Sequence, residues 1–264
     1  MNRNLFRRIY NQIVPSTTQW LPRYYTVLKL IDKEGLILDA SCGTGEITIG
    51  LKKKDVKVIG INISKKEIMV ARGEAKKEGI KIDFIIGDLT SAPFKDNTFT
   101  QIISLDTLEH IKDDNKVFQE FARQLKVSGR LIISVPWGAT NSAELFQEQK
   151  NLRRLIPRFL YTDTSFNSRS WLEASEKDTM KEMKHFRNYS VDKLKRKITS
   201  FFKIAHYEYA LKKFSSLATD ITYGIKVCHF LKPFIFFIAV RLDRYFQKNR
   251  KGYLLICEFQ KLVK

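Results

Sequence analysis

The sequence predicts an α/β fold, a doubly wound and mostly parallel sheet with an inserted helical lid. Three observations predict it. Five short apolar runs between residues 36 and 135 are separated for the most part by stretches of helical periodicity, the pattern of repeated βαβ units. The first run, Leu36-Ile37-Leu38, ends in Asp39 and turns through Ala40-Ser41-Cys42-Gly43-Thr44-Gly45 into a helical pattern from Ile47 to Lys53. The next three runs also close on polar side chains, Asn62, Asp88 and Asp106, and ligands of such sheets sit beyond the carboxyl ends of the strands.

Residues 1–31 hold five Arg or Lys and no acid, with Trp20, Tyr24 and Tyr25 suited to packing. They lack the long apolar segment and small-residue cleavage site of a secretory signal, so they read as a helix capping the pocket. Residues 32–137 are the core. Gly43 and Gly45 permit positive φ and a close approach to the main chain, and the N–H groups of the turn then face an anion or a polar ligand. A dinucleotide fingerprint would place a third glycine three residues later, where this chain has Thr48. Val56–Ile61 is the second strand, ending at Asn62; Ser64 caps a helix reaching Glu78. Ile82–Ile86 is the third, closing with Gly87-Asp88-Leu89, and the turn-rich loop Ser91–Asn97 follows. Phe99–Leu105 is the fourth, closing with Asp106-Thr107-Leu108-Glu109-His110. Arg130–Val135 is the fifth, introduced by Leu125-Lys126-Val127-Ser128-Gly129.

After Trp137 the pattern changes. Residues 138–189 read as the lid, because Leu152, Leu155, Ile156, Phe159 and Leu160 recur at helical spacing. Residues 190–264 add a helix from Val191, capped by Ser190, and strands at Phe201–Leu211 and Gly252–Leu262. Between these strands, residues 213–251 form a basic, apolar helical insertion. Its run Pro233–Val240 is too short for the roughly 20 residues of a bilayer span. It is either buried, lining a pocket for a hydrophobic substrate, or it lies in a membrane interface against anionic headgroups.

A hydrophobic content of 44% supports a packed core and excludes global disorder. The cysteines Cys42, Cys228 and Cys257 are odd in number and scattered, which argues against a disulfide framework and fits a reducing, cytoplasmic setting. No CxxC or HExxH pattern supports zinc. The net charge of +19 is uneven: residues 32–150 carry 18 basic and 18 acidic side chains, whereas residues 151–264 carry 24 basic and 10 acidic. That field attracts an anionic partner, whether phospholipid surface, nucleic acid or acidic small molecule.

Taken together, LDASCGTGEIT, VIGINIS, IIGDLTSAPFKDNTFTQIISLDTLEHI and LKVSGRLIISVPW resemble the successive motifs of class I S-adenosylmethionine-dependent methyltransferases, in particular the type 11 group that includes quinone-biosynthesis enzymes. The resemblance covers residues 36–137 and implies a Rossmann-like sheet completed to seven strands. It implies S-adenosyl-L-methionine as cofactor, its methionine end held by the turn of Asp39, Ala40, Ser41, Cys42, Gly43 and Gly45. Asp88 then meets the adenine amino group and Leu89 contacts the ring through its backbone, with Ile63 and Leu105 beside the cofactor. The ribose position, a carboxylate in most relatives, is Asn62, whose amide has only one accepting end. Ser41 replaces a common glycine, and Thr100 replaces an acid often found at the start of the fourth strand.

Methyl transfer from a sulfonium is an in-line displacement that requires water to be excluded and the acceptor to be held close. A hydroxyl or carbon acid acceptor also benefits from a general base, and His110 just past the fourth strand is the candidate; the alternative is a solvated or capping histidine. Asp106, Glu109 and His110 share one face if their turn is helical, and with His185 they resemble the magnesium site of some O-methyltransferases. Histidine is an uncommon magnesium ligand, and no metal ligand is assigned. There is no Asn/Asp-Pro-Pro-Tyr motif, as in many N-methylating enzymes, and no Pro-Cys nucleophile for cytosine C5. The expectation is C- or O-methylation of a small or lipid-like acceptor, with peripheral contact to an anionic membrane. An RNA methyltransferase using the basic C-terminal part and a cofactor-binding adaptor without turnover are the alternatives.

Overall fold

The computed structural model describes residues 27–136, 186–210 and 254–263, with isolated positions between 238 and 245. The expected cap before residue 27, the lid up to residue 185 and nearly all of the 213–251 insertion lie outside the described residues. Five strands come from the core: β1 (Leu36–Ala40), β2 (Lys57–Asn62), β3 (Asp83–Ile86), β4 (Phe99–Leu105) and β5 (Leu125–Pro136). Two come from the C-terminal part, β6 (Phe202–Ala210) and β7 (Leu254–Lys261). They form one sheet in the order β3-β2-β1-β4-β5-β7-β6. The first five pair in parallel, and β7 runs antiparallel to both β5 and β6. The sheet is therefore mostly parallel and seven-stranded, as the sequence predicts.

The apolar residues of the central strands alternate between two buried faces, which is what a sheet covered on both sides requires. Ile37, Ile103, Ile132 and Ile256 pack with Val27, Leu51 and Val56 on one face. Leu38, Ala40, Ile102, Leu131, Ile133 and Leu255 pack on the other, with Phe118, Phe121, Leu194 and Ile198. Helix α1 (Glu46–Lys52) supplies Leu51 to the first face; α3 (Asp114–Gln124) and α4 (Val191–Ile198) cover the second. Helix α2 (Lys65–Lys77) lays Ile68, Ala71 and Ala75 against Phe84 of β3. Each buried Val, Leu, Ile or Phe among these stabilises the fold by roughly 1.5–3 kcal/mol relative to exposure. The caps at Ser64 and Ser190 form as expected, accepting from the Glu67 and Lys193 amides at 3.3 and 3.2 Å.

One boundary differs by more than two residues. The stretch Leu125–Gly129, expected to introduce the fifth strand, belongs to it: Phe99 pairs with Leu125 and Gln101 with Arg130. Leu125 is fully buried, so the chain enters the ladder early, bulges out through exposed Lys126, Val127 and Ser128, and rejoins at Arg130. Thr100 has a structural role. Its Oγ1 donates to the Glu34 and Leu36 carbonyls, at 3.1 and 3.2 Å.

Candidate cofactor site

The parallel register brings the tips of β1, β2 and β3 to one edge. Asp39 is opposite Gly60, Ala40 opposite Ile61, and Asn62 opposite Ile86. The turn after β1 is tied to β2, because the Ser41 and Cys42 amides both donate to the Ile61 carbonyl at 2.8 and 2.9 Å. The turn into Asp88 is tied there as well, by the Gly87 amide donating to the Asn62 carbonyl at 3.0 Å. Asp39, Asn62 and Asp88 therefore share one edge of the sheet, next to the point between β1 and β4 where the strand order reverses.

The turn itself is left-handed at Ser41 (φ 73°), Gly43 (φ 54°) and Gly45 (φ 80°). The two glycines serve different ends. A Cβ on Gly45 would lie 2.8 Å from both Ala71 Cβ and Phe84 Cζ, so this position is closed by packing. A Cβ on Gly43 would meet nothing within 4 Å. The main chain at Gly43 borders open space, the cradle that close approach of a ligand requires. Cys42 turns its sulfur inward, 2.8 Å from where a Cβ on Gly60 would be, and burial pushes its thiol well above the ordinary range. It is a packing residue of the turn.

Asp39 is 3% exposed, and its Oδ2 accepts from the Thr48 hydroxyl at 2.6 Å. Burial raises its pKa from 3.8 to about 6, against the lowering effect of the Thr48 hydrogen bonds. Thr48 stands where a third glycine would be, and its hydroxyl explains why glycine would serve worse here. Asn62 is 4% exposed and is held at both ends. Its Oδ1 accepts from the Ser41 hydroxyl at 3.4 Å, and its Nδ2 donates to a Glu67 carboxylate oxygen. Ile63 stands 69% exposed beside it. Asp88 caps the 3₁₀ turn Leu89–Ser91 by accepting from the Thr90 amide at 2.8 Å, while the Leu89 side chain is buried. Leu105 is half-buried at the end of β4.

Asp106 lies before, not within, the 3₁₀ turn Leu108–His110. It has φ 49°, and its Oδ1 accepts from Ser134 Oγ of β5 at 2.7 Å. Among the described residues no group of three His, Cys, Asp or Glu side chains is placed to hold a metal ion. His185 lies outside the described residues. His110 has a side chain 26% exposed, with Nε2 4.0 Å from Oε1 of the buried Glu109.

The β4–α3 connection is fastened from the C-terminal side. The Phe186 amide donates to the Glu109 carbonyl at 2.8 Å. Buried Asp114 accepts from Tyr189 Oη at 2.6 Å and pairs with Arg187 and Lys197 at 2.8 and 2.7 Å. Glu67 and this cluster were missed from the sequence. The one signal for Glu67 was the Ser64-x-x-Glu67 spacing of a capping box; the Asp114 cluster joins residues too distant in the chain for any local pattern.

Residues 31–206 match a protein family described as a methyltransferase domain. The chain belongs to that family. The match, the strand order and the edge just described together make this a class I, Rossmann-like methyltransferase fold with S-adenosylmethionine as its cofactor. Among curated proteins, the chain is 35% identical over 100 residues to ajmaline N-methyltransferase of Rauvolfia serpentina, covering 37% of this chain and 34% of the relative. It is 33% identical over 131 residues to phosphoethanolamine N-methyltransferase 1 of Arabidopsis thaliana, covering 49% and 27%. The matched part thus spans about a third of these relatives. Among solved structures, geranyl diphosphate C-methyltransferase of Streptomyces coelicolor A3(2), in complex with S-adenosyl-L-homocysteine, aligns with TM-score 0.54 and 12% identity, covering 87% of this chain and 70% of that one. At that identity the likeness is one of fold.

Proposed function

We propose that this protein transfers the methyl group of S-adenosylmethionine to a carbon or oxygen nucleophile of a small or lipid-like acceptor. The observation that carries the reading is the single edge on which the Gly43 cradle, Asp39, Asn62 and Asp88 converge. Bound there, the cofactor would supply an electrophilic methyl group for an acceptor nucleophile. The turn from Asp39 to Gly45 holds the methionine end, with the Asp39 carboxylate facing its ammonium group. The Asp88 carboxylate takes the adenine amino group, the Leu89 backbone contacts the ring, and Ile63 and Leu105 cover the cofactor's apolar faces. His110, in the turn that follows β4, accepts the proton that a hydroxyl or carbon acid gives up. The positive field of the C-terminal part suits an acidic acceptor or an acceptor embedded in an anionic membrane surface.

A second reading, methylation of an amine, is favoured by the similarity to two N-methyltransferases of small molecules. A neutral amine already carries its nucleophilic lone pair and depends less on a base. One experiment separates these cases. Purified protein, labelled methyl donor and cell extract are incubated, and product is partitioned into organic, aqueous and RNA fractions. Label in the organic or small-molecule aqueous fraction is expected, with a His110→Ala loss of about 100-fold for oxygen or carbon acceptors. A loss under threefold points to the amine. Label in RNA overturns the small-acceptor reading, and cofactor binding without turnover points to an adaptor.

A further inference from the structure

The resemblance assigns the ribose hydroxyls to the residue that ends the second strand, yet in this chain that residue is already engaged. Asn62 is almost fully buried, its amide oxygen accepting from Ser41 and its amide nitrogen donating to Glu67. A vicinal diol offers two O–H donors, and a carboxylate with two accepting oxygens is their natural partner. Glu67 is the carboxylate that the Asn62 amide holds against this strand tip. It sits in the first turn of α2, where the helix dipole favours negative charge. In a common capping box the glutamate reaches back to the backbone N–H of the N-cap residue. Here it reaches past Ser64 to the Asn62 side chain, and so to the edge shared with Asp39 and Asp88. Its charge is felt at the glycine turn: after burial and the Asp39 carboxylate, Glu67 also contributes to pushing up the Cys42 thiol. An aspartate at position 62 would set two carboxylates at hydrogen-bonding distance, so the amide at 62 and the acid at 67 form a matched pair.

We propose that Glu67, positioned by Asn62, is the cofactor-binding residue that accepts hydrogen bonds from the ribose hydroxyls, an inference that rests on the cofactor site described above. In this chain the carboxylate stands five residues after the strand tip, at the helix start, and the asparagine at the tip supports it.

Calorimetry on the full chain tests this with two probes, S-adenosylhomocysteine and its analogue lacking both ribose hydroxyls. Glu67→Gln keeps an oxygen for the Asn62 amide and is expected to melt with wild type, while binding S-adenosylhomocysteine about 10- to 50-fold more weakly. For the dideoxy analogue, wild type and Glu67→Gln should agree within twofold, which a merely structural role would not produce. The exchange Asn62→Asp with Glu67→Gln returns the charge to the strand tip and should recover affinity to within about fivefold of wild type. Equal binding of S-adenosylhomocysteine by wild type and Glu67→Gln, or equal losses for both probes, overturns the proposal and leaves the cofactor site standing. A folded wild type giving no heat with either probe removes the site and the proposal together.

Discussion

Asp39 is ionised only at a cost that its own burial imposes. Its folded pKa, about 6, lies above the ordinary 3.8, so the neutral form is favoured by the fold. The stabilisation from protonating it is full below about pH 4, is lost as pH rises through about 6, and stays lost at higher pH. At pH 7.5 the apo protein therefore carries a penalty on the order of 3 kcal/mol at this one side chain. Asp39→Asn keeps an oxygen for the Thr48 hydroxyl and removes the penalty. Urea melts should show the variant more stable than wild type by roughly 2–3 kcal/mol at pH 7.5, the gap narrowing to about 1 kcal/mol at pH 4.5 and closing below about pH 3.5. If Asp39 meets the methionine ammonium as proposed, the same variant should bind S-adenosylhomocysteine at least tenfold more weakly; unchanged stability at pH 7.5 would contradict the account of its burial. Asp39, Asn62 and Asp88 were legible because each closes an apolar run. Glu67 was not, because its significance depends on an amide five residues away being turned toward it.

The turn between β1 and α1 shows how one local pattern contains two jobs that the sequence does not separate. Gly43 and Gly45 read alike, both placed for positive φ, and only the folded surroundings distinguish open space at one from contact at the other. Gly45→Ala combines a left-handed backbone, worth roughly 1–2 kcal/mol, with overpacking against Ala71 and Phe84 worth about 1–3 more. It should lower the melting temperature sharply. Gly43→Ala meets no neighbour and should cost only about 1–2 kcal/mol of stability, yet its methyl group enters the cradle, and affinity for S-adenosylhomocysteine should fall at least 30-fold. A Gly43→Ala protein that binds as wild type does would show that the open space is not the cofactor's. Most strands were legible to within a residue or two, since β-branched runs end where polar turns begin. The start of β5 was not. The exposed residues Lys126, Val127 and Ser128 have the composition of a loop, and it is the burial of Leu125 against Phe99 that draws them into the strand.

The order of the whole sheet follows from short right-handed βαβ connections for its first five strands, and that half of the architecture is written in local periodicity. The C-terminal half is held by contacts that periodicity does not reveal, such as Tyr189, Arg187 and Lys197 converging on Asp114. Charge is the property of this half that sequence does expose. Helix α4 buries Leu194 and Ile198 and presents Lys193, Lys195 and Arg196 to solvent, on the part of the chain that carries net +14. Among the described residues no helix is long and apolar enough to cross a membrane. Each lysine or arginine near an anionic surface contributes on the order of 1 kcal/mol, within a Debye length that falls from about 14 Å in 50 mM salt to about 4 Å in 500 mM. Sedimentation with vesicles containing phosphatidylglycerol should show binding at the lower salt and release at the higher, with no binding to neutral vesicles at either. Replacing Lys193, Lys195 and Arg196 together by Gln removes about 3 kcal/mol of that attraction and should weaken binding on the order of 100-fold. The cofactor edge is untouched by these changes, so affinity for S-adenosylhomocysteine should hold. Indifference of the wild type to anionic lipid at low salt would instead assign the charge to a soluble acidic acceptor, whose methylation would then slow as salt rises.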